Sequence, residues 1–579
     1  MVLAVAAGFR LWGIAHSLPF SYYPDESHFV KRALSFGSGD FNPHWFHKPA
    51  LYMYLLFAEY GALFVTGKLA GLWPGVTEFA VQYILDPTAF YLLGRLTTAA
   101  FSLATVWLVY RIGERSFGRG AGLAGAMVFA VLPGVVTASQ HVKEDIPSMF
   151  FATLSLFFVF RHVERRRTHD LWIAAVAAGA SAATKAYGLA LLAPIVASLF
   201  LGEGRAPARR AVAVGLGAFA LFWLAHFIGA PFSFLDPLGR ESTFGRIVAL
   251  AGRFGEILGV AKPPVLPDEF LGRQTGILGG FQDYLAVLFS QQGMGWTAAA
   301  AALAGLPLAL FRGKAQGWLL VGYTVLFAVV SVILYPGYAT PRHQTPVYPT
   351  LSLTAGLALL FAWRHLPRVA AGALVAVVLA IPAGAVAARA VEVTKQDTRN
   401  VAKRWIERNI PAGSLLLADE NGPPLLVSVR EIHRALDRAG RTDAVTGMAT
   451  HYGRYLELQA RAARHGVTYD LHEIRKAWWR PSESAEEFLT SDYDRDMANP
   501  LRPVGVLPYD DYVRRGFRFA VVHSSQYDDI LSEGGASRYP SFAALYQDLF
   551  AHGELVQEFS RAEGKWTGPT VRIIRFAPR

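Results

Sequence analysis

The chain has 579 residues, of which 53% are hydrophobic and only 17% charged, and its mean hydropathy is positive at +0.29. That is too apolar for a soluble chain of this size and marks a membrane protein. The net charge of +11 does not argue for nucleic acid, because many Arg residues lie in short loops between apolar runs, where membrane topology accounts for them; without Cys there are no disulfides and no thiolate metal site.

In chain order, the first apolar run covers about 1–18 and contains Arg10. It lacks a small-residue cleavage site, so it is read as an uncleaved helix, either tilted or continued upstream of Met1. A stretch at 19–87, read as an external loop, follows. Further spans are expected at 88–110, 118–138, 147–161, 170–184, 186–201, 209–229, 296–311, 316–335, 344–363 and 368–388, about eleven in all. The segment 50–72 is apolar enough to cross, but crossing would reverse every later loop. Its Tyr52, Tyr54, Phe57 and Tyr60 suit an interface, so it is taken as interfacial or re-entrant.

Orientation follows from the basic loops. Arg111, Arg115 and Arg119, then Arg161 with Arg165 to Arg167, Arg205 with Arg209 and Arg210, Arg312 with Lys314, and Arg364 with Arg368 are assigned to the cytoplasm. The loops around Asp25, Asp145, Lys185 and Arg342, and the long one at 230–295, then face the other side. That long loop, with Pro263, Pro264 and Pro267, has the length of a lid, and its Arg273, Gln274, Gln291 and Gln292 are candidates for sugar or phosphate contacts. From about 391 the composition turns charged, which divides a transmembrane domain at 1–390 from an external domain at 391–579. The latter reads as α/β, with a helix near 401–408 and strands near 414–418, 519–523 and 571–576. Trp478 and Trp479 there suit either glycan stacking or core packing.

The expected external loops hold the chemistry. Asp25 and Glu26 stand together after Pro24, and an ionised carboxylate at a helix N-terminus can take a proton from a hydroxyl; the same pair also serves as a helix cap. Lys48-Pro49 either meets a phosphate or snorkels from an interfacial helix. In Ser139-Gln140-His141-Val142-Lys143-Glu144-Asp145-Ile146-Pro147, Asp145 lies at the mouth of a span, as a functional carboxylate or an N-cap. Lys185 sits in the turn Thr184-Lys185-Ala186, able to meet a phosphate or to anchor the turn. Near 341–344, Arg342 offers a fork that matches phosphate oxygens, or is an interfacial Arg, with His343 beside it.

In this order, Pro24-Asp25-Glu26, Gly39-Asp40, Lys48-Pro49, the Asp-x-Pro at Asp145 and the Thr-Lys turn at Lys185, the chain resembles the GT-C superfamily of glycosyltransferases that use lipid-linked sugars, which includes aminoarabinose transferases and protein O-mannosyltransferases. The likeness covers about 11–360. It implies a polytopic α-helical membrane fold with a soluble C-terminal α/β domain. It further implies Asp25 as catalytic base supported by Glu26, Asp145 as organiser of the site, and Lys48, Lys185, Arg342 and His343 as substrate contacts. Some relatives carry Glu before the Lys and use it near a metal; here that position is His47, so no cofactor is certain and a divalent metal is possible.

The resemblance implies transfer of a sugar from a polyprenyl-phosphate donor to a lipid, glycan or protein acceptor, with inversion. The setting it implies is the extracytoplasmic side of a plasma (inner) membrane, with membrane lipid as a further partner and no nucleic acid. An oligosaccharyltransferase or glycan ligase of the same fold is the main rival. A transporter is the lesser one, because it needs charges near the midplane and these collect at an edge.

Overall fold

The computed structural model describes residues 1–45, 48–201, 207–235, 247–248, 252, 277–312, 314–334, 340–439, 451–475 and 506–578. Pro263, Pro264, Pro267, Arg273, Gln274, Trp478 and Trp479 lie outside them. The chain divides into two compact units, one formed by Met1–Ile14, Tyr23–Tyr60 and Tyr91–Val391, the other by Ala15–Tyr22, Gly61–Phe90 and Glu392–Arg579.

The first unit is helical. Among the described residues six helices are long and apolar enough to cross a membrane: Thr88–Phe117, Asp145–Arg165, Ala208–Gly229, Ala315–Ile333, Pro341–His365 and Arg368–Val393. Arg119–Val131 and Pro133–Ser139 are long and apolar enough only when taken together, and the pair is bent by 62° where Pro133 removes a backbone donor, as in a broken span or a re-entrant loop. The expected spans at 1–18, 186–201 and 296–311 contain shorter apolar helices, Val2–Leu11, Ala186–Phe200 and Trp296–Arg312, and the one at 170–184 is the 17-residue helix Thr168–Thr184. Leu51–Leu69 forms a helix of 19 residues that does not reach the apolarity of those six. Within the stretch read as a loop at 230–295, Ile277–Phe289 is a 13-residue helix; its apolar run is too short to register as a span and too regular to stay irregular.

Burial separates inner from outer helices. Of the apolar window in Pro341–His365, 83% is buried, and of that in Asp145–Arg165, 72%; for Ala208–Gly229 the share is 17% and for Arg368–Val393 22%. The outer helices turn side chains such as Leu216, Leu224 and Ile228 outward. Water would not support that much apolar surface, whereas lipid does. The central helix owes its position to close contact: a Cβ on Gly356 would lie 2.4 Å from the backbone nitrogen of Gly125. Only glycines let these two backbones approach so far. Arg10, within the first apolar segment, is fully buried and donates to Ser102 Oγ (2.7 Å) and to the carbonyls of Ala6 (3.1 Å) and Ala130 (3.0 Å). Those acceptors make a cation tolerable there.

The second unit is built on a six-stranded sheet of order β3-β4-β2-β5-β8-β6, with β2 at Leu415–Asp419, β3 at Leu426–Val427, β4 at Thr468–Ile474, β5 at Phe519–His523, β6 at Glu554–Phe559 and β8 at Val571–Arg575. Strands β3, β4, β2 and β5 are parallel; β8 runs antiparallel to both β5 and β6. A two-stranded parallel pair joins β1 (Gln396–Asp397) to β7 (Trp566–Thr567). Alternation of side chains loads both faces of the sheet. Leu417, Ala520, Val522 and Ile574 pack with Tyr509, Tyr527, Phe542 and Tyr546 on one side, while Leu416, Ala418, Val521 and Ile573 pack with Ala402 and Ile406 on the other. The expected helix and strands near 401–408, 414–418, 519–523 and 571–576 coincide with Thr398–Asn409, β2, β5 and β8.

Candidate active site

Residues from five separate segments of the helical unit meet at one end of the bundle. Asp25 lies in the first turn of the helix Pro24–Ser35, which opens with a proline and two acids, both favourable at a helix N-terminus. Lys48 precedes Leu51–Leu69. The loop 140–144 carries Lys143 and Glu144 into the start of Asp145–Arg165. Lys185 caps the antiparallel neighbour Thr168–Thr184 in an extended conformation. Its short 3-10 continuation folds back closely, since a Cβ on Gly188 would lie 2.2 Å from Ala182 N. Arg342 sits on the 3-10 turn Pro341–Val347, held by Gln344 Nε2 donating to the Tyr284 carbonyl (2.6 Å) and Tyr348 Oη to the Pro341 carbonyl (3.2 Å). The arginines at 165–167 lie at the far end of the 21-residue helix that begins with Asp145, roughly 30 Å away.

The charges interlock. Asp25 Oδ2 accepts from Lys143 Nζ at 2.5 Å and from Arg342 Nη1 at 2.9 Å. Lys143 Nζ also lies 3.4 Å from Asp145 Oδ2 and donates to Tyr23 Oη at 3.2 Å. Lys48 Nζ is 2.9 Å from Glu144 Oε1, and Lys185 pairs with Asp145 Oδ1 while standing 3.8 Å from Glu144 Oε1. His343 is buried nearby, edge-on to Tyr187, whose ring carries the Lys185 ammonium at 4.7 Å. Asp25 and Arg342 keep 29% and 31% of their side chains exposed, whereas Lys143, Glu144, Asp145 and Lys185 are at 6% or less. An incoming molecule therefore meets Asp25 and Arg342 first.

Glu26, adjacent in sequence, has a different environment. Fully buried, it accepts Arg95 Nε (2.9 Å), Arg95 Nη2 (2.8 Å) and the backbone N–H of Val142 (2.7 Å). Arg95 in turn donates to the Ile14 carbonyl at 2.9 Å. This clamp ties the helix bearing Asp25 to the loop bearing Lys143, so Glu26 positions the site from behind.

Burial alone would raise the Asp25 pKa, but Lys143, Arg342 and Lys48 bring it below its ordinary value. Glu26 is held well below, Arg95 and His141 outweighing its burial. Burial lowers His141, outweighing the upward pull of Glu26. Lys143 is lowered by burial and raised more strongly by Asp145, Glu144 and Asp25, leaving it above an ordinary lysine. The arrangement presents an ionised carboxylate inside a cationic frame. It can accept a proton and can hold an anion beside it.

Of the sequence candidates, His47, Arg273 and Gln274 lie outside the described residues, and Gln291 and Gln292 are exposed on the turn after Ile277–Phe289. Asp25, Lys48, Asp145, Lys185 and Arg342 converge, His343 lies at the edge and Glu26 lies behind. Sequence reasoning assigned no role to Arg95, Lys143 or Glu144. Lys143 and Glu144 were detectable, since a carboxylate at a membrane edge calls for a partner close by. Among the described residues no group of three or more His, Asp or Glu could hold a metal ion.

Residues 92–228 match the family described as dolichyl-phosphate-mannose-protein mannosyltransferase. In structure, the chain is similar to ArnT from Cupriavidus metallidurans bound to undecaprenyl phosphate, with 14% identity and a TM-score of 0.50 over 100% of this chain and 97% of that one; the apo state gives the same values. The oligosaccharyltransferase of Archaeoglobus fulgidus in its apo form aligns with 93% of this chain and 72% of its own, at 12% identity and a TM-score of 0.46. No curated protein matches the sequence. The chain shares the fold of ArnT, and its match to the mannosyltransferase family is confined to residues 92–228.

Proposed function

We propose that the chain is a membrane glycosyltransferase that moves a sugar from a polyprenyl-phosphate carrier to an acceptor on the extracytoplasmic side of a plasma (inner) membrane, with inversion at C1. The observation that carries this reading is the partly buried Asp25 carboxylate bonded by Lys143 and Arg342 at the end of the bundle opposite the basic turn. The choice of carrier is motivated by the undecaprenyl phosphate bound in the ArnT structure.

In this reaction the acceptor hydroxyl or amine attacks C1 and gives its proton to Asp25, while the bond from C1 to the phosphate oxygen breaks. The transition state has oxocarbenium character, and negative charge grows on the departing phosphate. Lys48, Lys143, Lys185 and Arg342 face Asp25, Glu144 and Asp145, so cations exceed carboxylates by one among the described residues. That excess attracts a phosphate and contributes most as its charge grows, which is what lowers a barrier. Arg342, the more accessible and forked cation, meets the phosphate first. Lys48 and Lys185 exchange part of their carboxylate contacts for it, and His343 borders the sugar. Asp145 keeps the lysines in place, and Glu26, clamped by Arg95, fixes the helix turn that carries the base. The unit from Glu392 onward forms the external domain.

The test is to incubate the purified chain in liposomes with radiolabelled polyprenyl-phosphate sugars and candidate acceptors, and to determine the anomeric configuration of the product. A new glycosidic bond with inverted C1 is expected. Retention would sink direct displacement, and movement of the lipid-linked sugar across the bilayer without any new bond would sink the enzyme assignment.

A further inference from the structure

The second loop reads Lys143-Glu144-Asp145, and its lysine occupies an unusual place. Lys143 Nζ stands between the carboxylate of the first loop and that of the second, 2.5 Å from Asp25 Oδ2 and 3.4 Å from Asp145 Oδ2, with Tyr23 Oη as a third contact at 3.2 Å. Only 4% of its side chain is exposed. A divalent ion bridging the same two carboxylates would bind each oxygen at about 2.0–2.6 Å and so would fall where this ammonium sits. It would also face Arg342 on Asp25 and Lys185 on Asp145, like charges at close range with little water to screen them. The acids here do not fit a divalent metal, because their inner oxygens are already engaged by cations of the chain itself.

We propose that Lys143 is a positioning residue that replaces a bridging metal: its ammonium holds Asp25 and Asp145 in register and keeps positive charge beside the reacting centre. This rests on the reading of Asp25 as the base. The ammonium is a single charge on a tether, so it orders the acid without locking both of its oxygens, and the second oxygen stays available for the acceptor proton. A metal would claim more of that carboxylate. Lys143 also links the base to the Glu26 clamp, because its neighbour Val142 donates its N–H to Glu26.

The experiment uses the full chain and two readouts. Mn²⁺ binding, followed by electron paramagnetic resonance, is compared between the wild-type protein and Lys143→Asp, with Lys143→Ala as a second variant; sugar transfer is measured for the same proteins and for Lys143→Arg, with EDTA or Mn²⁺. The wild type is expected to bind no stoichiometric Mn²⁺ at this site and to transfer sugar equally with EDTA. Lys143→Ala should lose about 100-fold in transfer, with the acid limb of its pH profile displaced upward as Asp25 loses a cation. Lys143→Arg should restore most of the rate and return the limb. Lys143→Asp should bind one Mn²⁺ per chain and gain about tenfold or more in transfer when it is added. The proposal is overturned if wild-type protein binds one Mn²⁺ per chain and loses it on Asp25→Asn, if Lys143→Asp remains unable to bind Mn²⁺, or if Lys143→Ala keeps both rate and pH profile. Should none of the proteins transfer sugar, the assignment of activity fails, while the Mn²⁺ comparison still decides the bridge.

Discussion

In the helical unit, Asp25 is surrounded by Lys143, Arg342 and Lys48, and its pKa falls below the ordinary value although burial pushes the other way. In the sheet unit, Asp419 ends β2 fully buried and, among the described residues, accepts from neutral donors, namely Tyr546 Oη at 2.6 Å, the His523 N–H at 2.9 Å and Gln526 Nε2 at 3.3 Å. There burial wins and the pKa rises to about 7. The contrast concerns partners rather than depth. Formal cations keep an acid ionised for chemistry, whereas dipoles satisfy its hydrogen bonds and leave the cost of charge largely in place.

The largest effect expected from breaking this contrast is on Asp25. Replacing it by Asn keeps the shape but removes the base, and transfer should fall by about 100- to 10,000-fold while the protein stays folded and membrane-inserted. Near-normal turnover by this variant would remove Asp25 from the role of base. In the wild type, activity should persist as pH falls and disappear only below the ordinary carboxylate range, because the three cations hold Asp25 ionised. Next in size is Arg95→Met. It strands the buried Glu26 carboxylate, for which about 3–5 kcal/mol of stability should be lost, and adding Glu26→Gln should recover part of that. Unfolding measured in detergent compares the two; equal stability of single and double variants would mean that the clamp carries no charge of consequence.

How much of this was legible depends on where each residue sits relative to the apolar runs. Asp25, Lys48, Asp145, Lys185 and Arg342 are polar residues flanking long hydrophobic segments, so they stand out and their common side follows from loop charges. Arg95 lies within an apolar helix, 69 residues from Glu26. No local pattern pairs them. Strands β2, β5 and β8 declare themselves by β-branched and apolar runs, while Thr468–Ile474, with Asp470, His472 and Glu473 in it, becomes a strand only because β2 lies alongside. Similarly, the first segment was read as 1–18 from hydropathy, yet its helix ends at Leu11, where the chain turns toward the carbonyl at Ile14 that Arg95 captures.

A smaller effect tests whether the cations do more than hold Asp25. Lys48 bonds Glu144 and is the last of the three cations acting on Asp25, so Lys48→Ala should move the acid limb of the pH profile upward by less than Lys143→Ala does and weaken donor capture by about 10- to 100-fold, visible in KM for the lipid-linked sugar. Unchanged KM would limit Lys48 to a structural pair.

The smallest effect belongs to the neutral side of the comparison. An acid whose folded pKa is raised takes up its proton on folding, so its contribution to stability is fully present below the unfolded value near 4 and is lost as pH rises through about 7. Between pH 6 and pH 8 this amounts to about 1 kcal/mol. Hydrogen exchange at the β2 and β5 amides of the full chain, corrected for intrinsic rates, should show that loss of protection in the wild type. Asp419→Asn cannot ionise but still accepts from Tyr546, so its protection should stay level over the same range. If the variant shows the same decline as the wild type, the pH response comes from another group, and neutral dipoles would have to be credited with holding a buried carboxylate as charged as the lysines hold Asp25.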